Sequence, residues 1–325
     1  MIIQMFRPEL YHGKTPWNRF EGWYFKIVNK DATEAFAFIP GVFWGNHPQE
    51  SHSFLQVLEG KTVKYNYHRF SPEVFHATTQ SSLRIQVEKN HFSLEGMSLS
   101  IDSPQQKVQG SLKFSNRVDW RDKPYSPGSM GYFNFIPFLQ CYSHVWAMDM
   151  DLSGDLIING KTYNFDGGKG YGEKNWGNAF PYSWIWIQSN HFSSPTTSLS
   201  CSIGHIPLWL TSFRGFLIGL YHESTLYEFT TMKGTKMTIN KQGNDVEIIL
   251  KNKKHGLRII TSSEPDSYIL CNGPRDGKMV PLVEESLRSK VFIRLWEEPS
   301  GKILLEDWGR ACGIEYGGEQ MRILN

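Results

Sequence analysis

Two glutamates stand among aromatic residues in a way that suits proton transfer. Glu173 sits in the segment GYGEKNWGNAF, read as a loop, beside Tyr171, Trp176 and Phe180. A carboxylic acid in an apolar pocket keeps its proton longer than in water, which suits a general acid. Lys174 pulls the other way, because an ion pair with Glu173 would hold the carboxylate charged and pin a turn instead. Glu21 precedes Trp23 by two residues, so on a strand it shares a face with Trp23, Phe25 and Ile27, while Tyr24 and Lys26 take the other. From there it points into a barrel beside the indole or binds a backbone amide at the mouth. His144 is the candidate base, on a face shared with Tyr142, Trp146 and Met148; a hydrogen-bonded core histidine is the plainer alternative. Trp184, Trp186, Gln188 and Asn190 alternate with Ile185, Ile187 and Ser189, which sets two indoles and two amides on one face. A core would prefer the isoleucine face, so the indole face is either ligand-facing or packed against another element. The candidate substrate-binding set is thus Trp23, Tyr24, Trp146, Trp176, Trp184, Trp186, Gln188 and Asn190.

Other chemistries find little support. Eleven histidines show no H-x-H or H-E-x-x-H spacing, and Cys141, Cys201, Cys271 and Cys312 lie far apart, so no metal site and no disulfide framework are expected. No G-x-S-x-G elbow marks a nucleophile. The run GGKGYG at residues 167–172 lacks the spacing of a phosphate loop and reads as a tight strand connection. No cofactor is called for. Lys+Arg 34 against Asp+Glu 32 is nearly balanced, without the basic footprint of a nucleic-acid binder, and KNKK at 251–254 reads as a solvated turn. No apolar run approaches the ~20 residues of a membrane helix, and the first residues lack a signal-peptide core. The expectation is a cytoplasmic protein without stable membrane insertion, brought transiently to a membrane by a lipophilic small-molecule ligand.

The elements that must position these residues are strands. Residues 20–28, 35–44, 53–58, 83–88, 97–102 and 108–114 are short, β-branched or aromatic, and bounded by Gly, Asn, Asp or Pro. Residues 184–190, 198–203, 216–222, 226–231, 236–240, 246–251, 257–261 and 291–297 repeat the habit, with turn signals such as Asn159-Gly160 and Ser300-Gly301 between runs. Residues 280–288 are the best candidate for a short helix. FEGWYFKIVN at 20–29 and PYSWIWIQSN at 181–190 both set an aromatic strand before a polar turn, a faint internal duplication. Between the halves, residues 118–140 hold prolines, glycines and aromatics, and read as an irregular segment packed over a barrel mouth. Many short strands with tight turns argue for barrels or sandwiches.

Four segments in order resemble the tocopherol cyclase family. They are Phe20-Glu21-Gly22-Trp23-Tyr24-Phe25; Gly131-Tyr132-Phe133 leading into Ile136-Pro137-Phe138; Glu173-Lys174-Asn175-Trp176-Gly177 followed by Phe180-Pro181 and the Trp184–Gln188 strand; and Ile314-Glu315-Tyr316-Gly317-Gly318. The resemblance implies an all-β chain of two lipocalin-like antiparallel β-barrel domains packed side by side, with little helix, at residues 1–178 and 179–325. It also implies cofactor-independent, acid-catalysed cyclisation of a prenylated aromatic or isoprenoid substrate, or the related hydration. That chemistry protonates an alkene, steadies the tertiary cation on aromatic faces and excludes water. A lipocalin-like carrier of a lipophilic molecule, with no chemistry, is the alternative.

Overall fold

Strand-forming residues dominate, and the chain folds accordingly into two lipocalin-like antiparallel β-barrels. The computed structural model describes residues 6–14, 18–120, 125–137, 139–208, 211–319 and Ile323. It divides into two compact units: Met1–Phe180 with Cys271–Pro281, and Pro181–Leu270 with Leu282–Asn325.

In the first sheet of 12 strands, Arg19–Val28 lies between Ala35–Trp44 and Gly168–Gly177. The sheet runs outward from Ala35–Trp44 through His52–Glu59 to Lys64–Phe70. On the other side it runs from Gly168–Gly177 through Cys141–Ile158, Lys107–Val118, Gly96–Asp102, Asn90–Ser93 and Arg84–Val87 to Phe75–Ala77. The second sheet, of 10 strands, repeats the plan: Ser183–Ser189 lies between Thr197–Leu208 and Ile303–Gly318, and Ile303–Gly318 pairs onward with Lys278–Glu297. The two aromatic segments of the duplication thus hold the same place, each the first strand of a barrel paired with its second and its last. Short 3₁₀ turns such as Gly131–Phe135 are the helical elements, and no described helix is long and apolar enough to cross a membrane.

Two expectations are corrected here. Residues 280–288 are not helical but belong to the strand Lys278–Glu297. Pro281 carries no N–H for a helical bond, and the β-branched Val280 and Val283 suit a pleated surface. Gly168–Gly172 is not a connection but the first half of the strand Gly168–Gly177. Its glycines are there to be covered: a Cβ on Gly172 would come within 2.1 Å of the Trp146 ring, and one on Gly170 within 2.8 Å of Met150. The second barrel repeats the device, with Trp184 over Gly317 and Trp186 over Gly313.

Alternation decides which residues fill each barrel. Trp23, Phe25 and Ile27 join Phe36, Phe38, Leu55, Val57 and Trp146 in the first core; Ile185 and Ile187 join Leu199, Cys201, Ile203 and Ile314 in the second. Because the indole of Trp146 occupies the space a side chain at 172 would need, Gly172→Ala should destabilise the first barrel by about 1–3 kcal/mol, the usual cost of overpacking. Urea unfolding of the variant checks this; an unchanged midpoint would mean that Trp146 moves aside freely.

Candidate active site

Residues directly opposite on paired antiparallel strands share a face, and this sorts the candidates. Glu21 lies opposite Trp176 and Trp23 opposite Lys174, with His144 opposite Lys174 on the far side. This set faces the barrel interior. Tyr24 lies opposite Glu173, and Val145 opposite Glu173, on the face turned away from that interior. The two glutamates are therefore on opposite faces of one sheet and do not share a site.

On the inner face Lys174 is wholly buried. Its Nζ lies 2.7 Å from Glu21 Oε2 and donates to the Leu10 carbonyl at 2.6 Å. The ammonium also sits 4.8 Å from the ring centres of both Trp23 and Trp176, a cation between two indoles. His12 Nδ1 is 3.0 Å from Lys174 Nζ and 3.0 Å from Glu21 Oε2, so it serves one of them at a time. Residues 9–12 close over the pair, with the Trp23 indole donating to the Glu9 carbonyl at 2.7 Å. Burial alone would raise Glu21, but the Lys174 charge, His12 and Arg19 outweigh it and hold the carboxyl at about 2. Burial, aided by the Lys174 charge, pushes His12 down to about 4. Lys174 itself is drawn down by burial to about 8 against the pull of Glu21. Glu21 is thus a fixed anion and no proton donor.

Glu173 has different company. Tyr171 donates to its Oε2 at 2.6 Å, while Ser143 at 2.8 Å and Asn175 at 3.1 Å donate to Oε1. Tyr171 and Asn175 flank it at two residues on either side, as a strand requires, and Ser143 comes from the neighbouring strand opposite Asn175. The carboxyl is buried, and the Tyr24 ring lies 6.5 Å from that of Tyr171. Adjacent residues on a strand point to opposite faces, so Lys174 pairs with Glu21 and not with Glu173. The expected local ion pair and the loop reading of this segment are both corrected by that alternation.

His144 is buried beside the Lys174 charge. Burial first, and that cation second, lower it to about 3, so the ring is neutral. Its Nδ1 accepts the Ser129 N–H at 3.2 Å, which leaves the ring proton on Nε2. A ring so engaged holds the segment around Ser129 against its strand, where the Ser129 hydroxyl in turn accepts from the Val145 N–H at 3.2 Å. Bulges between Val145 and Ala147 and between Ala147 and Met150 break the alternation expected along this strand, and Trp146 and Ala147 both enter the core. Trp176 stacks on Tyr142 at 5.4 Å, on the face away from Glu173.

In the second barrel Trp184, Trp186 and Gln188 are buried on the face opposite the isoleucines, as the alternation predicts. The Trp184 indole donates to Glu315 at 2.8 Å. Asn190 lies just beyond the strand end, its Oδ1 3.3 Å from His191 Nδ1. Tyr171, Ser143, Asn175 and His12 were not among the sequence candidates; a period-2 reading of residues 170–177 would have found the first and third. Among the described residues no group of three or more His, Cys, Asp or Glu side chains could hold a metal ion. Phe138, part of the second resembling segment, lies outside the described residues.

Two barrels, each closing its first strand against its last, define a lipocalin-like double-barrel protein. The chain belongs to the tocopherol cyclase-like family, whose model matches residues 43–318. That range takes in three of the four resembling segments and begins after Phe20–Phe25. Among curated proteins the chain is similar to the probable chloroplastic tocopherol cyclase of Oryza sativa subsp. japonica, 24% identical over 58% of this chain and 42% of that protein. It is also similar to the chloroplastic tocopherol cyclase of Zea mays, 26% identical over 61% of this chain and 44% of that one. The chain therefore matches less than half the length of these relatives. Among solved structures, CghA with Sch210972 aligns at a TM-score of 0.58 with 10% identity, covering 94% of this chain and 89% of that one. Kievitone hydratase from Nectria haematococca aligns at 0.52 with 12% identity, covering 94% and 90%. At such identities the likeness is one of fold.

Proposed function

We propose that this protein closes a ring on a prenylated aromatic substrate by proton transfer from Glu173, without a cofactor. Membership of a tocopherol cyclase-like family supports a cyclase- or hydratase-type enzyme. The observation that carries the choice of acid is the separation of the two glutamates: Glu21 is locked as an anion by Lys174, whereas Glu173 lies buried on the opposite face of the sheet and is bonded to a phenol at 2.6 Å.

The step balances as an isomerisation. The Glu173 proton adds to the less substituted alkene carbon, and the tertiary cation forms on its neighbour. A phenolic oxygen of the substrate attacks that carbon, closing the ring, and its proton passes to the carboxylate, restoring the acid. Tyr24 and Tyr171 offer aromatic faces to the cation, and Tyr171 links Glu173 Oε2 to any donor beyond it. Water in place of the phenol would give a tertiary alcohol.

Incubation of the purified protein in D₂O with a panel of prenylated hydroquinones, followed by mass spectrometry, tests this. One deuterium gained on ring closure is the expected result. Ligand retained tightly with no deuterium gained would refute the reaction in favour of a carrier.

A further inference from the structure

At one end of the second barrel the described residues leave a cavity, where those of the first barrel fill the corresponding space. In the first barrel the meeting of first and last strands is marked by Trp23 opposite Lys174, and Leu10, Tyr11 and the buried ion pair occupy the space. In the second barrel an inward-facing pair near the meeting of first and last strands is Ile185 opposite Tyr316. There a cavity of about 250 Å³ opens, with Ile185, Val246 and Ile323 as apolar walls and the phenols of Tyr268 and Tyr316 facing it. Their ring centres are 6.3 Å apart.

The hydrogen bonds behind the two phenols decide what the cavity can recognise. Thr261 Oγ1 accepts the Val246 N–H at 2.9 Å and donates to the Val246 carbonyl at 3.4 Å. The Tyr316 hydroxyl lies 2.7 Å from Thr261 Oγ1 and shares a hydrogen bond with it. Ser263 Oγ donates to Asp245 at 2.7 Å, so the Tyr268 hydroxyl, 2.6 Å from Ser263, is the donor there. Burial raises both phenols, Tyr268 to about 12, so each keeps its proton. What Tyr268 leaves for a guest is an oxygen able only to accept, with the Tyr316 hydroxyl beside it.

A guest that suits this cavity brings a hydrogen-bond donor. The charges at the lining, Lys241, Asp245 and Glu284, are of both signs and give no single-sign field for an ion. Burying a charge against Ile185 and Val246 would be costly. For size, an apolar cavity of about 150 Å³ holds benzene, so one substituted ring fits here. We infer that the end of the second barrel is a binding site for small uncharged phenols, independent of Glu173 and of the reaction proposed above. An ether or quinone of the same shape carries no donor for the Tyr268 oxygen.

Isothermal titration of the full chain with 4-bromophenol and with 4-bromoanisole tests this at neutral pH. Saturable phenol binding is expected, with the methyl ether at least about 10-fold weaker, the scale of one lost hydrogen bond. Val246→Phe fills the cavity and should abolish binding, while Glu173→Gln should leave it unchanged. If Val246→Phe fails to fold, Tyr316→Phe, which keeps the ring and removes one acceptor, should weaken the phenol by roughly 5- to 10-fold. Equal binding of phenol and ether, no saturable phenol binding, or undiminished binding to a folded Val246→Phe variant would each overturn the assignment. So would loss of binding in Glu173→Gln.

Discussion

Glu173→Gln should lower turnover of a prenylated hydroquinone by about 10²–10⁴, the range typical of a general acid, while leaving KM nearly unchanged. Glutamine has almost the same shape. Its carbonyl oxygen can still accept from Ser143 or Tyr171, so the local network survives in part. What it lacks is a proton that can leave. The loss should therefore fall on kcat, and the deuterium gained per ring closed should stay at one in whatever product remains. The matched comparison is Tyr171→Phe, which removes the phenol bonded to Oε2 and leaves the carboxyl in place. A smaller loss there, with a pH–rate profile displaced from that of the parent, would separate proton delivery from simple packing. Full turnover by Glu173→Gln would end the assignment of Glu173 as the acid.

The second large effect is on stability. Glu21→Gln leaves the Lys174 ammonium wholly buried without its counter-ion, and breaking a buried pair in this way costs about 3–5 kcal/mol. Removing both charges together, as in Glu21→Leu with Lys174→Met, should recover much of that loss, because two apolar side chains no longer need each other. Urea unfolding of the two single variants and the double variant measures the coupling. Additive losses would mean that the pair contributes nothing.

The same cluster sets the response to acid. Glu21 is held at about 2 against an ordinary 4.5, so its contribution is complete above about 4.5 and is lost as pH falls towards 2. By linkage this amounts to about 3 kcal/mol. His12 and His144, held at about 4 and about 3 against an ordinary 6.5, act earlier. Below 6.5 the unfolded chain takes up protons that the folded rings refuse, so stability falls as pH drops from there. The unfolding midpoint should therefore decline from about pH 6.5 downward, with a shallower decline below 4.5 in Glu21→Gln. A midpoint flat between pH 6.5 and 4 would contradict neutral, buried histidines.

How much of this was legible beforehand depends on which physical signal carried it. Strand periodicity was strong at residues 20–28 and 184–190, and it correctly separated Trp23, Phe25 and Ile27 from Tyr24, and Ile185 and Ile187 from the indoles. The same signal was weak where glycines interrupted it. Residues 167–177 looked like a loop because Gly170 and Gly172 carry no side chain to show a face, and only Met150 and Trp146, folding back from the neighbouring strand, explain their presence. With the strand unrecognised, Glu173 and Lys174 looked like partners; alternation sends them to opposite faces.

By itself the sequence determined the class of fold and the family, because those follow from local pattern and from residues in order along the chain. Only the tertiary structure decided which glutamate takes Lys174 as its partner. That choice rests on pairing Arg19–Val28 with Gly168–Gly177, two strands about 150 positions apart. Their register brings Lys174 to Glu21 and leaves Glu173 with Tyr171, Ser143 and Asn175. Likewise, the cavity that the described residues leave at one end of the second barrel is a matter of packing volume, which no single strand encodes.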